Sequence, residues 1–173
     1  MRNPSQVPQS TYRPAIRAPD IRRATPLDND WLIEVGVRAF ADLGDYREVL
    51  PAWIGQPNVV TWIDDPRPRR GFTMLAFYRD ELTGDHVADL LAISIEPEWR
   101  GNGLGRAMLS HAMAMARATA RAGNLVELRL CVADDNVLAQ QMYVTAGFTA
   151  LPIDVGRYAA GQRAIRMAYA LRP

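Results

Sequence analysis

Six consecutive residues, Arg100-Gly101-Asn102-Gly103-Leu104-Gly105, restrict the folds open to this chain more than any other stretch. They follow the apolar, strand-like run Leu90, Leu91, Ala92, Ile93, Ser94, Ile95 and lead into a long helical pattern. A glycine turn between a strand and a helix leaves backbone N–H groups without partners at the positive end of the helix dipole. Such an arrangement binds phosphate. Two common phosphate turns fail here. A P-loop needs lysine and then a hydroxyl residue after its last glycine, and this chain has Gly105-Arg106-Ala107. A dinucleotide fingerprint meets Arg106 where it needs glycine if counted from Gly101, and Met108 if counted from Gly103.

The rest of the chain reads as a mixed α/β domain. Residues 1–19 carry Pro4, Pro8, Pro14 and Pro19 among polar residues and read as a flexible tail, with a single domain over 20–173. Ile21–Ala24 is a candidate first strand. Asp28 or Asn29 is positioned to cap a helix bearing Trp31, Leu32, Val35 and Phe40, and a second helical stretch runs from Tyr46 to Ile54, interrupted by Pro51. Val59–Ile63 is β-rich, and Phe72–Arg79 and Val87–Ile95 form an antiparallel hairpin around a polar turn. Helical periodicity over Gly103–Arg121 aligns Leu104, Met108, Ala112, Met115 and Thr119 on one face. It puts Arg106, Ser110, Met113, Arg117 and Arg121 on another. A strand over Leu125–Val132 precedes a helix capped by Asp135 or Asn136 and stopped by Gly147. A last strand near Arg163–Leu171 turns Ile165, Met167, Tyr169 and Leu171 to one face.

Composition removes several function classes. The net charge of +1 gives no basic footprint for nucleic acid. One cysteine, Cys131, and two histidines, His86 and His111, leave no internal disulfide and no metal site to expect. No apolar run reaches membrane-spanning length and no secretory leader is evident, so a cytoplasmic location is expected. All 20 cationic residues are arginine, for which GC-rich coding is a sufficient explanation.

A third glycine turn fits. Arg100, Gly103 and Gly105 match Arg-x-x-Gly-x-Gly, and Asn136, Ala139, Tyr143, Gly147 and Phe148 match Asn-x-x-Ala-x-x-x-Tyr-x-x-x-Gly-Phe without a gap. In both blocks the chain resembles the GCN5-related N-acetyltransferase (GNAT) superfamily, firmly over residues 88–148. The resemblance implies a mostly antiparallel central sheet flanked by helices, with a central β-α-β unit that binds acetyl-CoA. It implies transfer of an acetyl group to a primary amine, on a small molecule or a peptide, by direct attack without a covalent enzyme intermediate. Acetyl-CoA and an amine acceptor are then the partners, and a homodimer is compatible with the family. A catalytically silent CoA-binding or regulatory module is the competing reading, against which Tyr143 argues.

By the family's pattern, backbone groups of Ile93, Ser94 and Ile95 pair with the pantetheine arm. The N–H groups of Gly101, Asn102, Gly103, Leu104, Gly105 and Arg106 wrap the pyrophosphate, and Arg100 and Arg106 add charge. Arg106 reads equally well as a solvated surface cation, and Asn136 as a pantetheine contact, a helix cap or both. Tyr143 is the candidate general acid for the departing thiolate, against the plain alternative of an aromatic packed beside Ala139 and Ala146. Asp89 is the candidate base, against that of a half-exposed strand acid. In ribosomal-protein N-terminal acetyltransferases the basic acid lies five residues before the motif asparagine. Cys131 stands there in this chain and reads as core packing. Asp42, Asp45, Tyr46, Trp53, Trp62, Asp154, Arg157 and Tyr158 fall where the family selects its acceptor, and acids beside aromatics suit a cationic amine.

Overall fold

A computed structural model describes residues 18–171; most of the expected tail lies outside them. Seven strands, β1 (Ile21–Arg23), β2 (Val59–Asp64), β3 (Gly71–Arg79), β4 (His86–Ile95), β5 (Leu125–Ala133), β6 (Thr149–Ala150) and β7 (Ala164–Ala170), form one sheet ordered β1-β2-β3-β4-β5-β7-β6. Every neighbouring pair is antiparallel except β4 and β5. That parallel pair is joined by α3 (Leu104–Ala122), since a parallel connection needs a long crossover. The remaining helices are α1 (Asn29–Ala39), α2 (Val49–Ile54) and α4 (Val137–Thr145).

The two faces of the sheet bury different helices. Leu32 and Val35 of α1 pack with Ile63, Phe72, Met74 and Ala92, while Leu109, Ala112, Met113 and Ala116 of α3 pack with Leu75, Ala88, Leu90, Leu128, Leu130 and Met167. In the register of β3 against β4, Met74 faces Ala92 and Leu75 faces Leu90, so Leu91 is an extra residue. A bulge of this kind reverses the side-chain alternation that follows it. Ala88 and Leu90 therefore face α3, as do Ile93 and Ile95 beyond the bulge, where they meet Leu104 and Met108.

Several expectations need correction. The buried stripe of α3 is Leu104, Met108, Leu109, Ala112, Met113 and Ala116, whereas Thr119 is exposed and Met115 only partly covered. The helix lies across β3, β4 and β5, so its apolar stripe is wider than one row and takes in Met113. Asp28 does not cap α1 with its side chain. Its carboxylate accepts from the Thr25 N–H and from Arg22 and Arg69, because a charged group so buried is held by cations rather than by one amide. The second helix begins at Val49, not Tyr46, and Pro51 sits in its first turn, where no N–H is needed. The short strand β6 has no alternating pattern to announce it.

Candidate functional site

Strands β4 and β5 pair only as far as Leu90 with Leu130. Beyond that point β4 continues to Ile95 and β5 to Ala133, but the ladder between them ends. Backbone groups of Leu91–Ile95 on that side meet no strand among the described residues. Past the bulge β4 stays paired with β3 alone, with Ile93 opposite Thr73, Ser94 opposite Phe72 and Ile95 opposite Gly71. Close approach there demands glycine at 71, where a Cβ would stand 2.4 Å from the Ser94 carbonyl oxygen.

The glycine turn lies at the far end of this opened edge. Gly101 (φ +75°) and Gly103 (φ +84°) both adopt the left-handed conformation, and a Cβ on either would point into open space. The requirement for glycine within the protein is thus conformational. Gly103 is the N-terminal cap residue of α3 and has no side chain to satisfy the first-turn amides, so those N–H groups face outward. Gly105 lies inside the helix, with Met142 of α4 3.6 Å from where its Cβ would be, so the turn sits directly beside α4. Arg100 is exposed, and its Nε donates to the Ile95 carbonyl at 2.8 Å, which braces the turn against β4. Asn102 Nδ2 reaches the Trp99 carbonyl at 3.5 Å, Leu104 is buried against Ile95, and Arg106 is exposed.

Arg70 anchors the base of this region. It is fully buried with Asp64, its Nε donating to the carboxylate at 2.6 Å. Its guanidinium lies over the Trp99 ring, and its carbonyl accepts from the Glu96 N–H.

On the other side of the opened edge, Asn136 caps α4, its Oδ1 accepting from the Ala139 N–H at 3.2 Å. Tyr143 of α4 is 9% exposed and packs with Phe148 at 5.9 Å between ring centroids, together with Ala139 and Ala146. Its hydroxyl has no hydrogen-bond partner among the described residues, and burial pushes the phenol up to about 12.

A second cluster occupies the face opposite α3. The alternation that buries Leu128, Leu130 and Val132 turns Cys131 the other way, so it is exposed rather than part of the core. Parity along β5 could have shown this, since the neighbours of Cys131 are both core leucine and valine. Asp89 of β4 and Arg166 of β7 share this face, and Arg166 Nη1 donates to both Asp89 oxygens at 3.1 Å. The Tyr78 hydroxyl lies near Asp89, and burial followed by the Asp89 charge raises that phenol. Burial raises the Cys131 thiol despite the nearby Arg166. Tyr158 is buried enough to be pushed well above the usual phenol range, and it lies within electrostatic reach of Cys131, Tyr46, Tyr143 and Arg166. The loops bearing the tyrosines are tied together: Ala160 N–H donates to the Leu43 carbonyl at 3.0 Å, and Gln162 Nε2 to the Asp42 carbonyl at 2.7 Å.

The structure thus brings together the opened edge at Ile93–Ile95, the glycine turn and α4 with Tyr143. Asp89, Tyr46 and Tyr158 gather on the adjoining face. Trp62 stays apart, with its ring 5.4 Å from His111 of α3. Arg166 was not singled out from the sequence, although its place between Ile165 and Met167 already sets it opposite the core face.

No helix among the described residues is long and apolar enough to cross a membrane. No curated protein sequence matches the chain. Among solved structures it is similar to the ribosomal-protein-S18-alanine N-acetyltransferase from Escherichia coli, at TM-score 0.71 and 22% identity over 88% of this chain and 94% of that one. It is also similar to Arabidopsis thaliana NAA60 in complex with acetyl-CoA, at TM-score 0.70 and 14% identity over 87% and 97% of the two chains. A third similar structure is spermidine N-acetyltransferase from Vibrio cholerae in complex with CoA and spermine, at TM-score 0.69 and 19% identity over 87% and 94%. These identities establish the fold. The model of the Acetyltransferase (GNAT) family matches residues 30–148, more than half of the chain. With its mixed sheet, opened parallel pair and glycine turn, this chain belongs to the GNAT acetyltransferase family.

Proposed function

We propose that this protein transfers an acetyl group from acetyl-CoA to a primary amine by direct attack. The observation that carries the reading is the separation of β4 from β5 after Leu90, with a phosphate-type turn at one end and an unpartnered phenol alongside. An extended arm fits the opened edge by adding hydrogen bonds to β4 at Ile93, Ser94 and Ile95, as a strand would. The N–H groups from Gly101 to Arg106 would hold the pyrophosphate, with Arg106 supplying charge. Arg100 supports the turn through its Nε, and Asn136 fixes the start of α4 while remaining exposed to the arm.

The chemistry asked of the chain is limited. The acceptor ammonium loses a proton, and Asp89, whose oxygens keep lone pairs beyond those used by Arg166, can take it directly or through water. The neutral amine then attacks the acetyl carbon. The new C–N bond forms as the C–S bond breaks, the electron pair leaves with sulfur, Tyr143 donates its proton to the thiolate, and the second proton of the acylated nitrogen returns through water to the Tyr143 phenolate. Burial keeps that phenol protonated through neutral pH, so the donor is in the right form when sulfur departs.

Release of CoA thiol is to be followed with acetyl-CoA across a panel of amines. Tyr143→Phe is expected to lower kcat by about a hundredfold while acetyl-CoA affinity stays unchanged. Unchanged turnover in that variant removes Tyr143 from the chemistry, and CoA binding without thiol release for any amine leaves a binding module.

A further inference from the structure

Arg166 spends only one of its three guanidinium nitrogens on Asp89. Both hydrogen bonds come from Nη1, and neither Nε nor Nη2 meets a protein acceptor among the described residues. The side chain is still largely covered, at 21% exposed, and Asp89 at 18%. The Nε–Nη2 edge is partly covered but not sealed from solvent, so it is open to a ligand that offers acceptors. The planar Nε–Nη2 edge is the part of arginine that matches a carboxylate with two parallel hydrogen bonds.

The position of that edge is specific. In the register of β5 against β7, Arg166 lies opposite Cys131, one residue beyond the last rung that joins β4 to β5. It projects on the face near the two tied loops, with Tyr158 within electrostatic reach of Arg166 and Cys131, and Tyr46 within reach of Cys131. The charge balance there is also telling. Arg129 on the same face is committed to Asp80 and Glu127, and Asp45 to Arg47. Asp89 and Arg166 cancel each other at this point of the face.

We infer that the Nε–Nη2 edge of Arg166 is a carboxylate subsite, and that the acceptor is an amine carrying a carboxylate next to it, as in a free amino acid. The inference rests on the acetyltransferase reading and narrows it. A zwitterion is complementary to the pair as built: its carboxylate lies along Arg166, and its ammonium is directed toward Asp89. The broader expectation of a cationic acceptor is thereby sharpened to one whose charge is balanced.

The test compares free amino acids with their amides, with the matched amines lacking the carboxylate, with a short peptide and with spermidine, by CoA thiol release. Acids are expected to exceed their amides by about ten- to a hundredfold in kcat/KM, the contribution of a charge-assisted pair. Arg166→Gln is expected to erase that ratio through KM while leaving the KM for acetyl-CoA in place, and Arg166→Lys to restore part of it. Asp89→Asn should keep the preference for acids whatever its rate. A merely structural arginine would lower activity toward all acceptors alike. Equal or better use of amides, peptide or spermidine overturns the subsite, and so does an unchanged acid-to-amide ratio in Arg166→Gln. Calorimetry on the CoA-loaded protein separates the two claims. Carboxylate-dependent binding that Arg166→Gln abolishes upholds the subsite even without turnover, in which case only the transferase reading fails. No such binding and no turnover remove both.

Discussion

The two sides of the proposed site are built differently. Groups assigned to the donor lie in two short stretches, 93–106 and 136–143, each a strand or turn leading into one helix. Groups facing the acceptor come from the segment before α2, from β3, β4, β5, the loop after β6, and β7, and meet only through long-range pairing. Their chemistry differs as well. The donor side works through backbone N–H groups, two left-handed glycines and one unpartnered phenol, held by an apolar core. The acceptor side works through side chains: an ion pair, tyrosines and a thiol. Local backbone geometry can serve any protein that must hold one invariant donor, while side chains gathered from distant strands can be exchanged one at a time as the acceptor changes.

The largest effect should come from removing the support of the donor side. Asp64 and Arg70 are a fully buried pair at the foot of β3, and Arg70 also holds the Glu96 N–H and the Trp99 ring. Asp64→Ala removes the carboxylate that pairs this buried guanidinium, at a cost of about 3–5 kcal/mol. Thermal unfolding should show a fall of about 10 °C or more. A midpoint near that of the parent protein would mean that Arg70 relaxes toward solvent, and that the donor end is less rigid than described.

Next in size is a change confined to the turn. Gly103→Val places a β-branched side chain at φ +84°, in the open space proposed for phosphate. Left-handed strain of roughly 1–2 kcal/mol and direct obstruction of the ligand should together weaken acetyl-CoA binding by at least about tenfold in calorimetry. Stability should fall by the strain alone. Normal affinity would take the phosphate away from this turn and leave the glycine with a structural purpose only. The amine arm should respond in neither variant except through the donor, and that is the asymmetry to be tested.

The same division explains what the sequence made legible. Glycines at 101, 103 and 105 and the Asn136–Phe148 spacing each describe a contiguous piece of backbone, so the turn before α3 and the start and end of α4 are legible from the residues alone. Parallel pairing of β4 with β5 followed from the long helix between them. Asp89 could be placed on a strand, but not its capture by Arg166, which depends on β7 returning beside β5. Cys131 reads as core packing by residue type, whereas its neighbours Leu130 and Val132 already claim the inward face. The bulge at Leu91 left no signature in the run Leu90–Ile95, where nearly every residue is apolar and either face is acceptable. Periodicity on α3 leaves Met113 off the core row for a related reason: a helix lying across three strands buries a stripe broader than one row.

The smallest expected effect contrasts the two faces in their response to acid. On the acceptor face the charged groups are paired, Asp89 with Arg166 and Arg129 with Asp80 and Glu127. On the α3 face His111 stands edge-on to Trp62, its Nε2 is buried without a partner, and burial lowers its affinity for a proton. The unfolded chain therefore binds a proton at this position more readily than the folded one. Stability from His111 is fully present above the ordinary imidazole pKa of about 6.5 and is lost as the pH falls through the lower folded value. His111→Phe keeps the ring contact and removes the titration. In chemical denaturation at pH 7 and pH 5, the drop in unfolding free energy should be smaller for the variant than for the parent. Equal drops would move the acid-sensitive step off the α3 face and onto the paired carboxylates of the acceptor side.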